Sequence, residues 1–165
     1  MPYATINRIS LHYQLEGHET LPVVMLCNSL GSTLEMWDPQ MAILLTRYRV
    51  LRYDSRGHGK STIAQGPYSI EQLGRDACAL LDQLGIHKVD FCGLSMGGMT
   101  GMWLGIHHPE RIRQLVLCNT AANLGSPEVW NSRLAVLDKD GMAGLTPAAR
   151  RVLRLRTALW RSCSR

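Results

Sequence analysis

The feature that most restricts the fold is the stretch Phe91-Cys92-Gly93-Leu94-Ser95-Met96-Gly97-Gly98, where a serine sits between glycines at the end of an apolar run. A serine projecting from a sharp strand-to-helix turn adopts a strained backbone conformation, so the residues two before and two after it must be small. Gly93 and Gly97 meet that demand. Such a turn exposes the hydroxyl and aims the next amide, here that of Met96, at a reacting carbonyl oxygen. Gly-x-Ser-x-Gly matches arise by chance in many chains, but the flanks strengthen this one. Lys88-Val89-Asp90-Phe91-Cys92 reads as a strand before it, and Met99-Thr100-Gly101-Met102-Trp103-Leu104 as a helix after it. Set against a Gly-rich turn with an idle serine, this context points to Ser95 as a nucleophile.

The surrounding pattern agrees. Thr5 to Gln14 alternates apolar and polar residues, as an antiparallel strand pair with one buried face would, and it forms the leading edge of the expected sheet. Val23-Val24-Met25-Leu26-Cys27 is a continuous apolar run, the mark of a fully buried strand, and it feeds the polar loop Asn28-Ser29-Leu30-Gly31. Trp37 to Leu45 reads as a helix with Pro39 in its first turn, and Arg49 to Tyr53 as a strand closed by Asp54-Ser55-Arg56-Gly57-His58-Gly59. From an N-cap at Ser69, apolar residues recur at helical spacing until Gly85. In the helix after Ser95, Gly97, Gly101 and Gly105 fall four apart and make a flat stripe for close packing on a sheet. Ile112 to Cys118 supplies one more strand. Alternating strands and helices predict an α/β fold, a mainly parallel sheet with right-handed crossovers and helices on both faces.

Composition narrows the functional classes. With 45% hydrophobic and 19% charged residues, the 165-residue chain has ordinary globular composition. Its net charge of +5 misleads, because six arginines fall in the last sixteen residues; without them the net is −1. No basic face for nucleic acid is expected on the main body, and no stretch is long and apolar enough to span a membrane. Cys27, Cys92 and Cys118 end apolar runs and read as reduced core residues. The odd total of five cysteines, no Cys-x-x-Cys pair and no secretory leader predict a cytoplasmic location.

All six histidines lie within the first 108 residues. The chain order that goes with this serine turn places an acid after the serine and the base last. Only His107 and His108 follow Ser95, and they lie about three helical turns along the helix it opens, roughly 18 Å away at 1.5 Å per residue. That is too far to accept the serine proton.

The motifs taken together resemble the α/β-hydrolases, and more closely the 3-oxoadipate enol-lactonases. The resemblance rests on Cys27-Asn28-Ser29-Leu30-Gly31 with Met36-Trp37-Asp38, on Tyr53 to Ser61, and on Gly93 to Gly98, and it covers residues 1 to about 145. It implies a serine hydrolase that opens a small, anionic enol-lactone without a cofactor. Ser95 would be the nucleophile, and the backbone amides of Leu30 and Met96 would be the oxyanion donors. In the family, the position of His58 is a loop position and not that of the base. Trp130-Asn131-Ser132-Arg133 resembles the start of the family's lid. Arg133 is then a candidate partner for the substrate carboxylate, or a solvated lid arginine, and Trp130 is a pocket wall or a residue of the lid's own core. The family's acid and histidine lie beyond any match here. Cys118-Asn119-Thr120 offers no carboxylate, and Asp138 and Asp140 fall in the lid region.

The expected organisation is the N-terminal part of a hydrolase core over 1–122, the beginning of a lid over 123–145, and an atypical Arg-rich tail over 146–165. Residues 147–165 contain no acid. The composition shift and the missing acid and histidine predict a frameshift or premature stop; a basic amphipathic helix suited to an anionic surface is the rival reading. Three functions stay open: a lactone hydrolase with negligible turnover, a non-catalytic module that self-associates through an exposed sheet edge, and another α/β-hydrolase chemistry such as an esterase, a C–C hydrolase or a haloperoxidase.

Overall fold

A computed structural model describes residues 2–123, 128 and 130–141. The alternating segment near the N-terminus folds as a hairpin of β1 (Tyr3–Ile6) and β2 (Ile9–Glu16). Its tight turn has Asn7 and Arg8 at positive φ, 45° and 64°, the conformation that matches strand twist in two-residue hairpins. β2 then pairs antiparallel with β4 (Arg49–Tyr53), while β3 (Val23–Cys27), β4, β5 (Val89–Leu94) and β6 (Ile112–Cys118) run parallel. The six strands lie in the order β1-β2-β4-β3-β5-β6.

The continuous apolar runs are explained by burial on both faces. On one face, Met25, Cys27, Leu51 and Phe91 pack with Ala77, Leu80 and Leu81 of α2 (Ile70–Gln83) and Leu104 of α3 (Met96–His107). On the other, Val24, Leu26 and Val50 pack with Trp37 and Met41, the latter from α1 (Asp38–Leu44). Each large side chain removed from water in this way contributes about 1.5–3 kcal/mol, so the alternation within β3 is what holds helices to both sides. Ser69 caps α2 through its side chain, which accepts from the amide of Gln72 at 3.1 Å.

Close approaches set the positions of the helices. A Cβ on Gly74 would fall 2.6 Å from Cζ3 of Trp103, so α2 and α3 meet where α2 has no side chain. The stripe of glycines on α3 lies against the sheet as expected, with Gly101 facing Phe91 and Leu115, and Gly105 facing Leu115. Buried Arg56 makes a paired contact with buried Asp76 at 2.7 and 2.8 Å, tying the loop after β4 to α2. The helix expected over Trp37 to Leu45 is α1, with Pro39 in its first turn, and a 3-10 turn, Leu34–Trp37, precedes it. Pro39 has no amide hydrogen to bond back to Glu35, which interrupts the helical ladder there.

β6 closes the sheet and is thinly covered: Leu115, Val116 and Leu117 are 36%, 50% and 42% exposed. The chain divides into two compact units, 1–122 and 123–165. In the second, residues 130–141 form a helix. The tail expected over 146–165 lies outside the described residues.

Candidate active site

The join between β5 and α3 carries the strain expected of it. Ser95 has φ 54° and ψ −113°, a region that costs a non-glycine residue about 1–3 kcal/mol. Neighbouring backbone holds it there. Its amide donates to the carbonyl of Cys118 at 2.9 Å, and its carbonyl accepts from the amide of Met99 at 3.0 Å and from Oγ1 of Thr120 at 2.8 Å. The half-buried side chain makes no hydrogen bond among the described residues, so the hydroxyl is presented rather than used for packing.

The two elbow glycines are steric requirements. A Cβ on Gly93 would collide with the carbonyl of Gly97 and lie 2.6 Å from the amide nitrogen of Gly98. A Cβ on Gly97 would collide with the carbonyl group of Cys27, 2.5 Å from its carbon, and lie 2.8 Å from the Asn28 oxygen. The first turn of α3 therefore rests directly on the end of β3, where Cys27 pairs with Gly93. This brings the loop Asn28-Ser29-Leu30-Gly31 beside the serine turn. Met96 opens α3, and amides in the first turn of a helix have no intrahelical acceptor.

The loop after β3 is built, not loose. Asn28, fully buried, donates to the carbonyl of Tyr53 at 2.9 Å and accepts from Nε1 of Trp37 at 2.8 Å. Ser29 to Ser32 forms a turn with Gly31 at φ 71°, and the Ser29 carbonyl accepts from both the amide and the hydroxyl of Ser32. The Leu30 amide has no acceptor among the described residues, and Leu30 is exposed.

Two side chains from the loop after β4 hold this turn in place. Asp54, buried, accepts from the amide of Leu34 at 2.8 Å, from the amide of Lys60 at 3.0 Å and from Nδ1 of buried His12 at 2.7 Å. His58 accepts from the amide of Gly31 through Nε2 at 3.0 Å and donates from Nδ1 to the carbonyl of Arg56 at 3.0 Å. Both ring nitrogens are thus engaged, which agrees with a loop role for His58. Sequence reasoning did not single out Asp54, Asn28 or Thr120. The one available signal was a carboxylate followed by glycines after a strand, where unpaired loop amides need an acceptor.

The remaining histidines have other surroundings. His107 stacks on Trp103 and bonds to its carbonyl, and His108 pairs with exposed Glu110. Among the described residues no histidine shares a hydrogen bond with Ser95. Beneath the loop, burial pushes the Cys27 thiol up, although Tyr53 Oη lies 3.0 Å from its sulfur. Burial, and next the adjacent Cys118, pushes Cys92 to about 12. Cys27, Cys78, Cys92 and Cys118 are free thiols. Among the described residues no three His, Cys, Asp or Glu side chains converge as metal ligands, and no helix is long and apolar enough to cross a membrane.

In the second unit, the guanidinium carbon of Arg133 lies 4.9 Å over the ring of Trp130, a cation–π distance. The two residues singled out for the pocket thus contact each other. Asp138 and Asp140 are exposed on the same helix.

Comparison with known proteins places this geometry. Residues 22–152 match the family model of the alpha/beta hydrolase fold. The chain is 46% identical over 145 residues to 3-oxoadipate enol-lactonase 2 of Acinetobacter baylyi, covering 88% of this chain and 53% of that protein. Its identity to 3-oxoadipate enol-lactonase 1 of the same organism is 40% over 136 residues, covering 82% and 51%. The crystal structure of the enol-lactonase from Burkholderia xenovorans LB400 superposes with a TM-score of 0.86 at 50% identity, covering 90% of this chain and 58% of that one. The chain spans about half the length of the curated relatives it matches. A strained serine between two sterically required glycines, on a sheet of this strand order and with this family match, makes the chain a member of the α/β-hydrolase family.

Proposed function

We propose that this chain carries the nucleophile and oxyanion donors of a serine hydrolase of the 3-oxoadipate enol-lactonase type, acting on a small anionic enol-lactone. The observation that supports this most is Ser95 at φ 54°, held by backbone bonds between glycines that tolerate no Cβ. In the proposed reaction, Ser95 Oγ bonds to the lactone carbonyl carbon while the carbonyl electron pair moves to oxygen. The Met96 and Leu30 amides receive that oxyanion, and each well-placed donor lowers the barrier by about 3 kcal/mol. The carbonyl then re-forms as the ring C–O bond breaks, leaving an ester on Ser95 and an enolate that takes up the proton the serine lost and tautomerises to the ketone; water hydrolyses the ester. Arg133, stacked on Trp130, is the proposed partner of the substrate carboxylate, and Trp130 the proposed pocket wall.

The serine proton needs an acceptor, and none of the described histidines meets Ser95. The proposal therefore includes negligible turnover by the 165-residue chain, with only the residual rate that positioning and oxyanion donors supply. The test is reaction with a fluorophosphonate followed by peptide mapping. Slow labelling confined to Ser95 and abolished in Ser95→Ala is expected. Labelling at another serine refutes the nucleophile assignment, and rapid Ser95-dependent lactone hydrolysis refutes the missing base.

A second reading, self-association through the sheet edge, is favoured by β6. Among the described residues its outer edge has no partner strand in the sheet, and Leu115, Val116 and Leu117 are exposed. An apolar groove of about 250 Å³, with Leu26, Ile43, Leu44, Cys92 and Val116 among its walls, lies beside it and away from Ser95. Pairing of β6 with β6 of a second copy would satisfy the edge. Concentration-dependent sedimentation that weakens in Val116→Lys is expected; a monomer at every concentration refutes this reading.

A further inference from the structure

The bond between Gly31 and His58 has a consequence for the oxyanion site that a loop role alone does not contain. In the turn Ser29 to Ser32, the Ser29 carbonyl points inward to the amide and hydroxyl of Ser32. A trans peptide places the next amide hydrogen on the opposite side, so the direction of the Leu30 N–H follows from the orientation of this turn. The turn is anchored at its start by Asn28 and beyond its end by the Leu34 amide on Asp54. Between those anchors, Leu30 and Gly31 are both exposed, and among the described residues the side chain from another element that hydrogen-bonds to them is His58.

The ring can serve because its protons are placed by its other contact. Nδ1 faces the carbonyl of Arg56 at 3.0 Å, which only accepts, so the proton sits on Nδ1. Nε2 is then left as a bare acceptor toward the Gly31 amide at 3.0 Å. Gly31 at φ 71° supplies the turn geometry in which that amide points out of the loop toward His58.

We propose that His58 is a positioning residue for the oxyanion site: as a neutral, Nδ1-protonated imidazole it accepts the Gly31 amide and thereby holds the Leu30 amide toward Ser95. The proposal rests on the assignment of Ser95 and Leu30 above. It separates two functions open to a histidine near a nucleophile. His58 moves no proton in the reaction; it fixes the direction of a donor. A displaced donor loses most of its effect, since losing one oxyanion donor costs about a hundredfold or more in rate.

The test uses the full chain, two variants and two readouts. His58→Ala removes the acceptor. His58→Gln restores one, because Oε1 of glutamine reaches about as far as Nε2 and bears no proton. In the wild-type chain, long-range proton–nitrogen spectra of labelled histidine are expected to show His58 as the neutral Nδ1–H tautomer. The Gly31 amide resonance should move upfield in His58→Ala and return in His58→Gln. The fluorophosphonate labelling rate at Ser95 should fall about tenfold or more in His58→Ala and recover most of that loss in His58→Gln. Circular dichroism unchanged across the three proteins would show that the sheet is intact. An Nε2–H tautomer, or a Gly31 amide that ignores His58→Ala, overturns the proposal. So does a labelling rate unchanged in His58→Ala, or one equally low in both variants. If the Gly31 resonance responds as expected but the wild-type chain is never labelled at Ser95, the serine assignment fails while the anchoring of the turn by His58 stands.

Discussion

Replacing Gly97 by alanine tests the steric logic of the serine turn most directly. The added methyl would collide with the Cys27 carbonyl group, 2.5 Å from its carbon and 2.8 Å from the Asn28 oxygen. Carbon atoms prefer separations of 3.5–4.0 Å, so a shift of roughly 1 Å is needed. Neither side yields easily, because Cys27 is held in β3 between β4 and β5 and α3 rests on the sheet through Gly101. Overpacking against flexible side chains costs about 1–3 kcal/mol, and here both colliding partners are backbone, so a loss of about 3 kcal/mol is expected. Gly105→Ala, on the same helix, is the internal control. Its Cβ would meet only Cδ2 of Leu115 at 3.3 Å, the end of a side chain that is 36% exposed. There the helical preference for alanine should stabilise by up to about 0.5–1 kcal/mol. Urea unfolding followed by circular dichroism measures both. With a slope of about 1–3 kcal/mol per molar, Gly97→Ala should lower the midpoint by about 1 M or more. A Gly97→Ala midpoint equal to wild type, or a Gly105→Ala loss of the same size, would refute the reasoning.

Three further outcomes are expected. Ser95→Gly relieves the backbone strain at φ 54° and should raise the melting temperature by about 2–4 °C relative to Ser95→Ala, which keeps it; equal melting temperatures would mean that the turn is unstrained. Arg56→Met leaves the Asp76 carboxylate buried without its main partner and should cost about 3–5 kcal/mol. Most of that should return in Arg56→Met with Asp76→Leu, and a double variant no better than the single one would contradict it. Cys92, held at about 12 by burial and by Cys118, should react slowly with iodoacetamide. A thiol at its ordinary value of 9.0 is about one-tenth thiolate at pH 8, and at about 12 the fraction falls to about one part in ten thousand. Mass spectrometry should find alkylation about a thousandfold slower than in urea, and comparable rates would refute the shift.

Where neighbours in sequence carry the information, the fold could be read from the chain. The apolar run Val23–Cys27 announces a strand covered on both faces because only such a strand excludes polar residues throughout. Ser69 and Gly85 mark the ends of α2 because capping is a matter of adjacent backbone. Ser95 between Gly93 and Gly97 is legible because the turn's steric demands fall within five residues. What holds the surrounding loops was not legible. Asp54 takes amides from Leu34 and Lys60, and Thr120 holds the carbonyl of Ser95 from 25 positions away. No local pattern names such partners, since a carboxylate or hydroxyl accepts or donates wherever folding brings a bare group.

The sequence by itself therefore determined the order of strands and helices and the strained serine turn at Ser95, because these depend on periodicity and short-range sterics. Only the tertiary structure decided what the His58 ring bonds to. The resemblance made it a loop residue but named no partner, and parallel pairing set β3 and β4 side by side and brought Nε2 within 3.0 Å of the Gly31 amide. Hydrogen-bond roles are assigned by what lies opposite, and across 27 residues of chain that is a property of the sheet.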